Sequence, residues 1–255
     1  MTGRRAAALP DDQDRLIIEL LRAEGKPVSG EILAGELGMS RVALWKRIQA
    51  LSAWGYDIQA AHRGYELAGD DGIAPWELDA PGWLRLFAST GSTMDEARAM
   101  AVEGAPNGSL ALAREQKAGR NRDGSPWLSP PGGLYCSMVL RSALPPSHVG
   151  ALALESASAL LGLLAEAGIP GLEYRWPSAL VHAGHDGEKR CGGILVEFSG
   201  SAQRAEHYIV GIGLNLRAVP ASGKAICGIG EFAEEAPRRA ALAVQRGGRD
   251  ARVAP

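Results

Sequence analysis

Between residues 11 and 53 apolar residues return every three or four positions, a spacing that predicts three helices. Leu16, Ile17, Leu20 and Leu21 give the first helix its apolar face, and Gly25 and Pro27 end it. Ser29 stands at the N-cap of the second, with Glu31 in the first turn, where the helix dipole favours negative charge. Ile32, Leu33 and Leu37 form its inner face and Gly38 closes it. Ser40 caps a third helix whose inner face is Leu44, Ile48 and Leu51. The period then shortens to two: Ile58 and Ala60, then Tyr65 and Leu67, alternate about a turn at Arg63-Gly64. Helix, glycine-containing turn, helix, then hairpin is the pattern of a helix-turn-helix with a wing.

The pattern changes again after residue 67. Residues 68–81 hold two glycines, two prolines and four acidic residues, the composition of a linker. Beyond them strand-like runs at 109–114, 134–140, 193–198 and 208–214 alternate with helical ones, the longest at 149–167, which predicts an α/β domain. The division expected is a winged helix-turn-helix at 1–67, a linker at 68–81, an α/β domain at 82–217, and a short extension at 218–255 that ends in a frayed tail.

Composition removes several alternatives. Hydrophobic residues make up 46% of the chain, enough for an ordinary core. The net charge of -2 excludes a uniformly basic protein but not a local basic patch. Three cysteines, Cys136, Cys191 and Cys227, are far apart and form no CxxC pair, so neither a zinc site nor a disulfide is expected. Arg4 and Arg5 are followed by no long apolar stretch, and no apolar run approaches the ~20 residues of a membrane span. A cytoplasmic protein without membrane contact is expected.

Two sets of residues carry candidate chemistry. The third helix turns Arg41, Trp45, Lys46, Arg47 and Gln49 away from its apolar face, and the wing adds His62 and Arg63. Arg41 and Gln49 suit base edges, whereas Lys46, Arg47 and Arg63 suit phosphates. A solvated charged face, or a surface for protein contacts, stays open as the plainer reading. The α/β region offers three segments: STMDEA at 92–97, EQKAGRNRDGSPW at 115–127, and YRWPSAL followed by EKRCGGILVE within 174–197. Glycines flanking arginines on a loop can wrap an anion with backbone N–H groups and guanidinium forks. Arg175 and Arg190 fall near strand ends, where α/β sheets usually bind ligands.

In this order and spacing, and with VGIGLN at 210–215, these segments resemble the bifunctional biotin protein ligase and biotin operon repressor family, from about Arg15 to Leu216. The resemblance implies a class II synthetase-like catalytic domain behind the DNA-binding one. It implies that biotin and ATP, with Mg2+, give biotinyl-AMP, that a lysine of a biotin carboxyl carrier protein receives the biotinyl group, and that a homodimer binds operator DNA as a repressor. Carried onto this chain, Ser92, Thr93 and Gln116 contact the biotin head. Gly119, Arg120, Arg122 and Gly124 line the loop over the adenylate, and Trp127 packs beside it. Gly192 and Gly193 let the backbone approach, Asn215 lies by the nucleotide, and Arg122, Arg175 and Arg190 supply catalytic charge. No protein metal ligands are implied.

The chain also departs from the family pattern. Asn121 stands for a glycine, Asp123 and Ser125 for arginines, Ser178-Ala179 for Asn-Asp, and Arg190 for a lysine. No counterpart of the family's small C-terminal β-barrel is expected after Leu216. Two functions follow: a ligase that also represses transcription, or a catalytically impaired relative acting as a ligand-responsive DNA-binding regulator.

Overall fold

The computed structural model describes residues 8–78, 83–184, 187–217 and 226–231. The chain divides into two compact units that part between Leu78 and Asp79. Most of 218–255, with the expected tail, lies outside the described residues.

The first unit contains helices α1 (Asp12–Glu24), α2 (Gly30–Glu36) and α3 (Arg41–Ala53), then strands β1 (Tyr56–Ala61) and β2 (Gly64–Asp70). Its caps are those of the sequence pattern. Gly25 closes α1 at φ 59°, the Ser29 hydroxyl accepts from Glu31 N, and the Ser40 hydroxyl accepts from Ala43 N. Asp11 and Asp14 add a reciprocal capping box at the start of α1. Leu33, Leu44, Ile48 and Leu51 are buried as expected. Leu16 and Ile32 are not: both are exposed, and Ile18 and Trp54 fill the core instead. Three short helices offer only a narrow shared stripe, and on α1 it runs through Asp14, Ile17, Ile18 and Leu21. The wing pairs β1 with β2 antiparallel from Ala61↔Gly64 outward. Gly64 sits at φ +135°, and a β-carbon there would lie 1.9 Å from Val28 O, so this strand edge admits no side chain.

Arg47 corrects another expectation. It does not stand free for phosphate but donates to Asp11 and Asp14 at 2.8 Å each and to Gln13 at 2.6 Å. Asp14 raises its pKa, and Asp11 adds to that against the opposing cost of burial. The guanidinium therefore ties α3 to the N-terminus of α1.

The second unit is built on a seven-stranded mixed sheet. The strands are β3 (Leu84–Phe87), β4 (Leu110–Ala113), β5 (Leu134–Leu140), β6 (Leu172–Arg175), β7 (Ala179–Gly184), β8 (Gly187–Gly200) and β9 (Ala205–Leu214), in the order β3-β4-β5-β9-β8-β7-β6. Only β3 and β4 run parallel. Helix α4 (Thr93–Val102) packs through Met94, Ala97, Met100 and Ala101 on Ala111, Val139 and Ile209. Helix α5 (Val149–Glu166) brings Leu152 to Tyr208, beside Leu140 and Val196. Neighbouring residues of a strand point to opposite faces, so the pairs Ile209/Tyr208 and Val139/Leu140 place the two helices on opposite sides of the sheet.

Two sequence expectations fail here. The helical stretch Pro146–Glu166 is 21 residues long and apolar enough to cross a membrane by length and composition. Its Leu152, Ala153, Ala157, Leu160 and Leu164 are buried and form the stripe that covers the sheet, while Leu154 on the other side is exposed. Cys191 and Cys227, for which no pairing was expected, form a disulfide. The bridge between Arg190 and Ile226 brings the Cα atoms of Cys191 and Cys227 to 5.1 Å across 36 residues of sequence, a closeness no spacing rule reveals.

Removing Arg47 leaves Asp14, which is buried, with its capping bond from Asp11 N but without its cation. Arg47→Ala should therefore cost the first unit about 1–2 kcal/mol, while Lys46→Ala, on the exposed face, should change its stability by less than ~0.5 kcal/mol. Denaturant unfolding of the full chain, followed by a probe in the first unit, checks this; equal effects would refute the tie.

Candidate functional site

A cleft opens on the α4 face of the sheet, with about 470 Å³ of empty space, part of it open to solvent. Its floor is unusually bare. A β-carbon on Gly211 would lie 2.3 Å from the Met94 sulfur, and one on Gly213 would lie 2.8 Å from Trp127 Nε1. Alternate glycines on β9 thus let Met94 and Trp127 settle against the sheet. The sequence pattern places neither glycine in the site. Two glycines at i and i+2 within a strand are the signal that could have found them.

At one wall α4 begins. Ser92 holds the N-cap position, but its side chain caps nothing. The Gln116 carboxamide oxygen takes that place, accepting from Thr93 N at 2.8 Å and from Thr93 Oγ1 at 3.0 Å. With that proton committed, the 2.8 Å contact between Thr93 and Ser137 requires Ser137 to donate. Gln116 Nε2 in turn donates to Ser129 Oγ at 2.9 Å. Ser92, Thr93 and Gln116 are therefore brought together, and Ser92 turns its hydroxyl to the cleft, 3.5 Å from Arg120 Nη1.

The loop from Gln116 to Trp127 forms the second wall. Gly119 is required by crowding, because a β-carbon would meet Trp127 O at 2.7 Å and Ser129 Oγ at 2.8 Å. The residues that depart from the family pattern bind one another. Asn121 Nδ2 donates to Ser125 Oγ at 3.1 Å and to Pro126 O at 3.0 Å. Asp123 Oδ1 accepts from Ser125 N at 3.0 Å and Ser125 Oγ at 2.6 Å. Gly124 at φ +80° completes the turn.

Three arginines reach the cleft in different electrostatic states. Arg120 is paired with Glu197 at 3.1 Å and Asp95 at 3.1 Å, and Arg98 bridges the same two carboxylates. Glu197, chiefly, raises its pKa, with burial opposing. Arg122 is exposed at the mouth. Arg190 donates to Gly192 O at 3.1 Å, and its guanidinium carbon lies 4.9 Å from the Trp127 ring centroid. It has no ion pair among the described residues; burial lowers its pKa, and the nearby Asp123 charge opposes that shift. Asp95 and Glu197 were not foreseen as neighbours of the site, since nothing in the sequence signals that α4 and β8 bring their carboxylates to one loop arginine.

Other expectations are not met. Arg175 lies outside the cleft, exposed, and paired with Glu173 at 2.5 Å and Glu188 at 2.8 Å. Gly192 faces the interior, where a β-carbon would sit 2.7 Å from both Gly213 O and Leu214 Cδ2. Asn215 is buried beside Cys191, whose carbonyl accepts its N–H at 2.8 Å, and does not line the cleft. Of the pair standing for Asn-Asp, Ser178 lines the cleft and Ala179 pairs with Gly193 in the sheet.

In the first unit, Arg41, Trp45, Lys46 and Gln49 are all exposed on α3, with His62 and Arg63 exposed on the wing. Trp45, Arg41, His62 and Arg63 line a common groove between α3 and the hairpin.

Comparison with known proteins follows the same division. An HTH domain profile matches residues 14–66, and that of the biotin/lipoate A/B protein ligase family matches 86–215. The bifunctional ligase/repressor BirA of Bacillus spizizenii is 33% identical over 212 residues, covering 78% of this chain and 64% of that protein. The chain thus spans slightly less than two thirds of that relative's length. Among solved structures, the biotin protein ligase of Leishmania major in complex with biotinyl-5-AMP aligns with a TM-score of 0.54 at 26% identity, over 64% of this chain and 71% of that one. The biotin protein ligase of Aquifex aeolicus in complex with biotin and ATP aligns with a TM-score of 0.50 at 26% identity, over 63% and 67%.

The two neighbouring glycines of β8 should respond differently to a methyl group. Gly192→Ala meets backbone and a core leucine, and should lower the unfolding temperature of the second unit by several degrees. Gly193→Ala meets Arg190 Nη2 at 2.9 Å and Ser178 O at 3.1 Å, so it should act mainly by displacing the arginine in the cleft. Thermal unfolding and quenching of Trp127 fluorescence by a bound anion separate the two effects; identical behaviour would contradict the placement.

Proposed function

Because the chain belongs to the biotin/lipoate A/B protein ligase family, we propose that its cleft binds biotin and ATP and joins them as biotinyl-AMP. A lysine of a biotin carboxyl carrier protein then accepts the biotinyl group, and the winged helix-turn-helix couples ligand state to repression at operator DNA. The division of labour is DNA contact within 1–67 and ligand chemistry within 82–217, in a cytoplasmic homodimer.

The observation that carries this reading is Arg190, a half-buried guanidinium without an ion pair among the described residues, set on Trp127 in a cleft. A half-buried cation held by no direct ion pair, with only the loop carboxylate of Asp123 nearby, fits an anion that arrives with the ligand. In the first step a biotin carboxylate oxygen attacks the α-phosphorus of ATP, and pyrophosphate leaves. In the second the lysine amine attacks the acyl carbon, AMP leaves, and the amine loses a proton. Both reactants of the first step are anions. Arg190 and Arg122 offset their repulsion and hold them in line, and Arg120, fixed by Glu197 and Asp95, keeps the loop in place. Ser92, Thr93 and Gln116 bind the uncharged end of biotin. No cluster of three or more His, Cys, Asp or Glu occurs among the described residues. Mg2+ fits this site only as an ion that comes with the nucleotide phosphates, where it neutralises charge.

Calorimetric titration of the full chain tests the reading. Biotin should release or absorb heat and raise the unfolding temperature, and ATP with magnesium should then tighten binding and yield pyrophosphate. No heat and no thermal shift at millimolar biotin would overturn the ligand assignment.

A second reading, a regulator with a slow adenylation step, is favoured by Asp123, whose negative charge faces Arg190 from the loop. Arg190 is also planar and forked where a lysine would be a compact point charge. On this reading Arg190→Lys with Asp123→Asn, which keeps an acceptor for Ser125, should raise biotin-dependent pyrophosphate release by ~10-fold, equivalent to ~1.4 kcal/mol at the transition state. Robust release by the unaltered chain, with a lower rate in the double variant, would leave the ordinary ligase reading alone.

A further inference from the structure

Two large apolar side chains stand on the exposed face of α3. Val42 is 64% exposed and Trp45 52% exposed. They stand three residues apart on a helix and so share one face. Neither serves the core, to which α3 contributes Leu44, Ile48 and Leu51. A single exposed apolar residue is ordinary. These two, however, line the same groove between α3 and the wing, together with Arg41, His62 and Arg63. Among the described residues, no aspartate or glutamate lines that groove. Apolar side chains among cations, with no acid, complement a polyanion that also offers an apolar group at its edge.

Duplex DNA has such a group in its major groove. Thymine projects a C5 methyl there, whereas guanine, adenine and cytosine present polar donors and acceptors. Side chains at i and i+3 are about 5–6 Å apart at their β-carbons, and bases along one strand stack about 3.4 Å apart. One side chain can therefore meet one methyl while the other meets a methyl one or two steps away. The geometry points to a thymine-reading strip: Val42 and Trp45 contact C5 methyls of closely spaced thymines, while Arg41 and Gln49 address polar base edges. Lys46 and Arg63 supply phosphate contacts that hold the helix in register. This inference rests on DNA binding by the first unit and adds what that unit reads.

The test uses the full chain and starts without a defined operator. A random-sequence duplex library is selected for binding, and the enriched duplex is then remade with each thymine in turn replaced by deoxyuridine, which removes only the methyl. At least two thymines within three base steps should each weaken binding 3- to 10-fold on replacement. Val42→Ser should make one of those replacements silent, and Val42→Thr, which keeps a methyl group, should restore it. The dependence of affinity on salt should be the same in all these complexes, because no phosphate contact changes. An enriched duplex whose uracil forms all bind as tightly as the thymine form would overturn the thymine-reading strip and leave DNA binding intact. Absence of salt-dependent binding to any duplex would overturn the DNA-binding reading itself.

Discussion

The first turn of α4 has an N-cap serine whose hydroxyl caps nothing, and the carboxamide of Gln116 satisfies the Thr93 N–H in its place. That one side chain also fixes the Thr93 hydroxyl, and through it Ser137 on β5, while its amide holds Ser129. A helix start, a central strand and both arms of the loop are thus joined through one chain of hydrogen bonds among groups held out of water. Because Gln116 does the capping, Ser92 is left with its hydroxyl toward the cleft. The site's polar end and the loop's anchorage are one arrangement.

The same economy governs the loop. Substituting a carboxylate and two small polar residues into a segment expected to wrap phosphate reads, from the sequence alone, as damage. In three dimensions Asn121 and Asp123 both bond to Ser125 and close a tight turn. The loss of positive charge is real, but the loop gains internal order. A loop that is pre-formed gives up less conformational entropy when a ligand arrives, which partly offsets weaker electrostatic attraction.

The first unit was legible because each of its boundaries has a local cause: Ser29, Ser40, Gly25 and Gly38 act within a turn of where they stand. Of the seven sheet strands, β4, β5, β8 and β9 were legible apart from their lengths, whereas β3, β6 and β7, short and only partly apolar, gave no pattern that separates them from loops. What escaped were relations across the chain. The exposure of Leu16 depends on how three helices share one core, and the engagement of Arg47 depends on the N-terminus of α1 lying beside it. Arg175 reads as a site residue at a strand end, yet Glu173 and Glu188 occupy it at the sheet edge. Cys191 and Cys227 meet only because a distant segment bridges to Arg190. A one-dimensional pattern contains none of these distances.

Strand β8 carries an irregularity with a longer reach. Opposite β7, Leu180 pairs with Gly192 and Val181 with Arg190, so Cys191 is an extra residue in the ladder. Without this bulge, were Cys191 paired in turn, Arg190, an odd number of positions from Gly193, would point to the α5 side of the sheet. With it, Arg190 shares the cleft with Gly193 and Leu195. The charge in the cleft is thus placed by the register of the strand as much as by the kinds of its residues. Pairing Cys191 into the ladder would turn Arg190 out of the cleft while every side chain stayed in the chain, so the place of that charge depends on one local break in register that composition does not record.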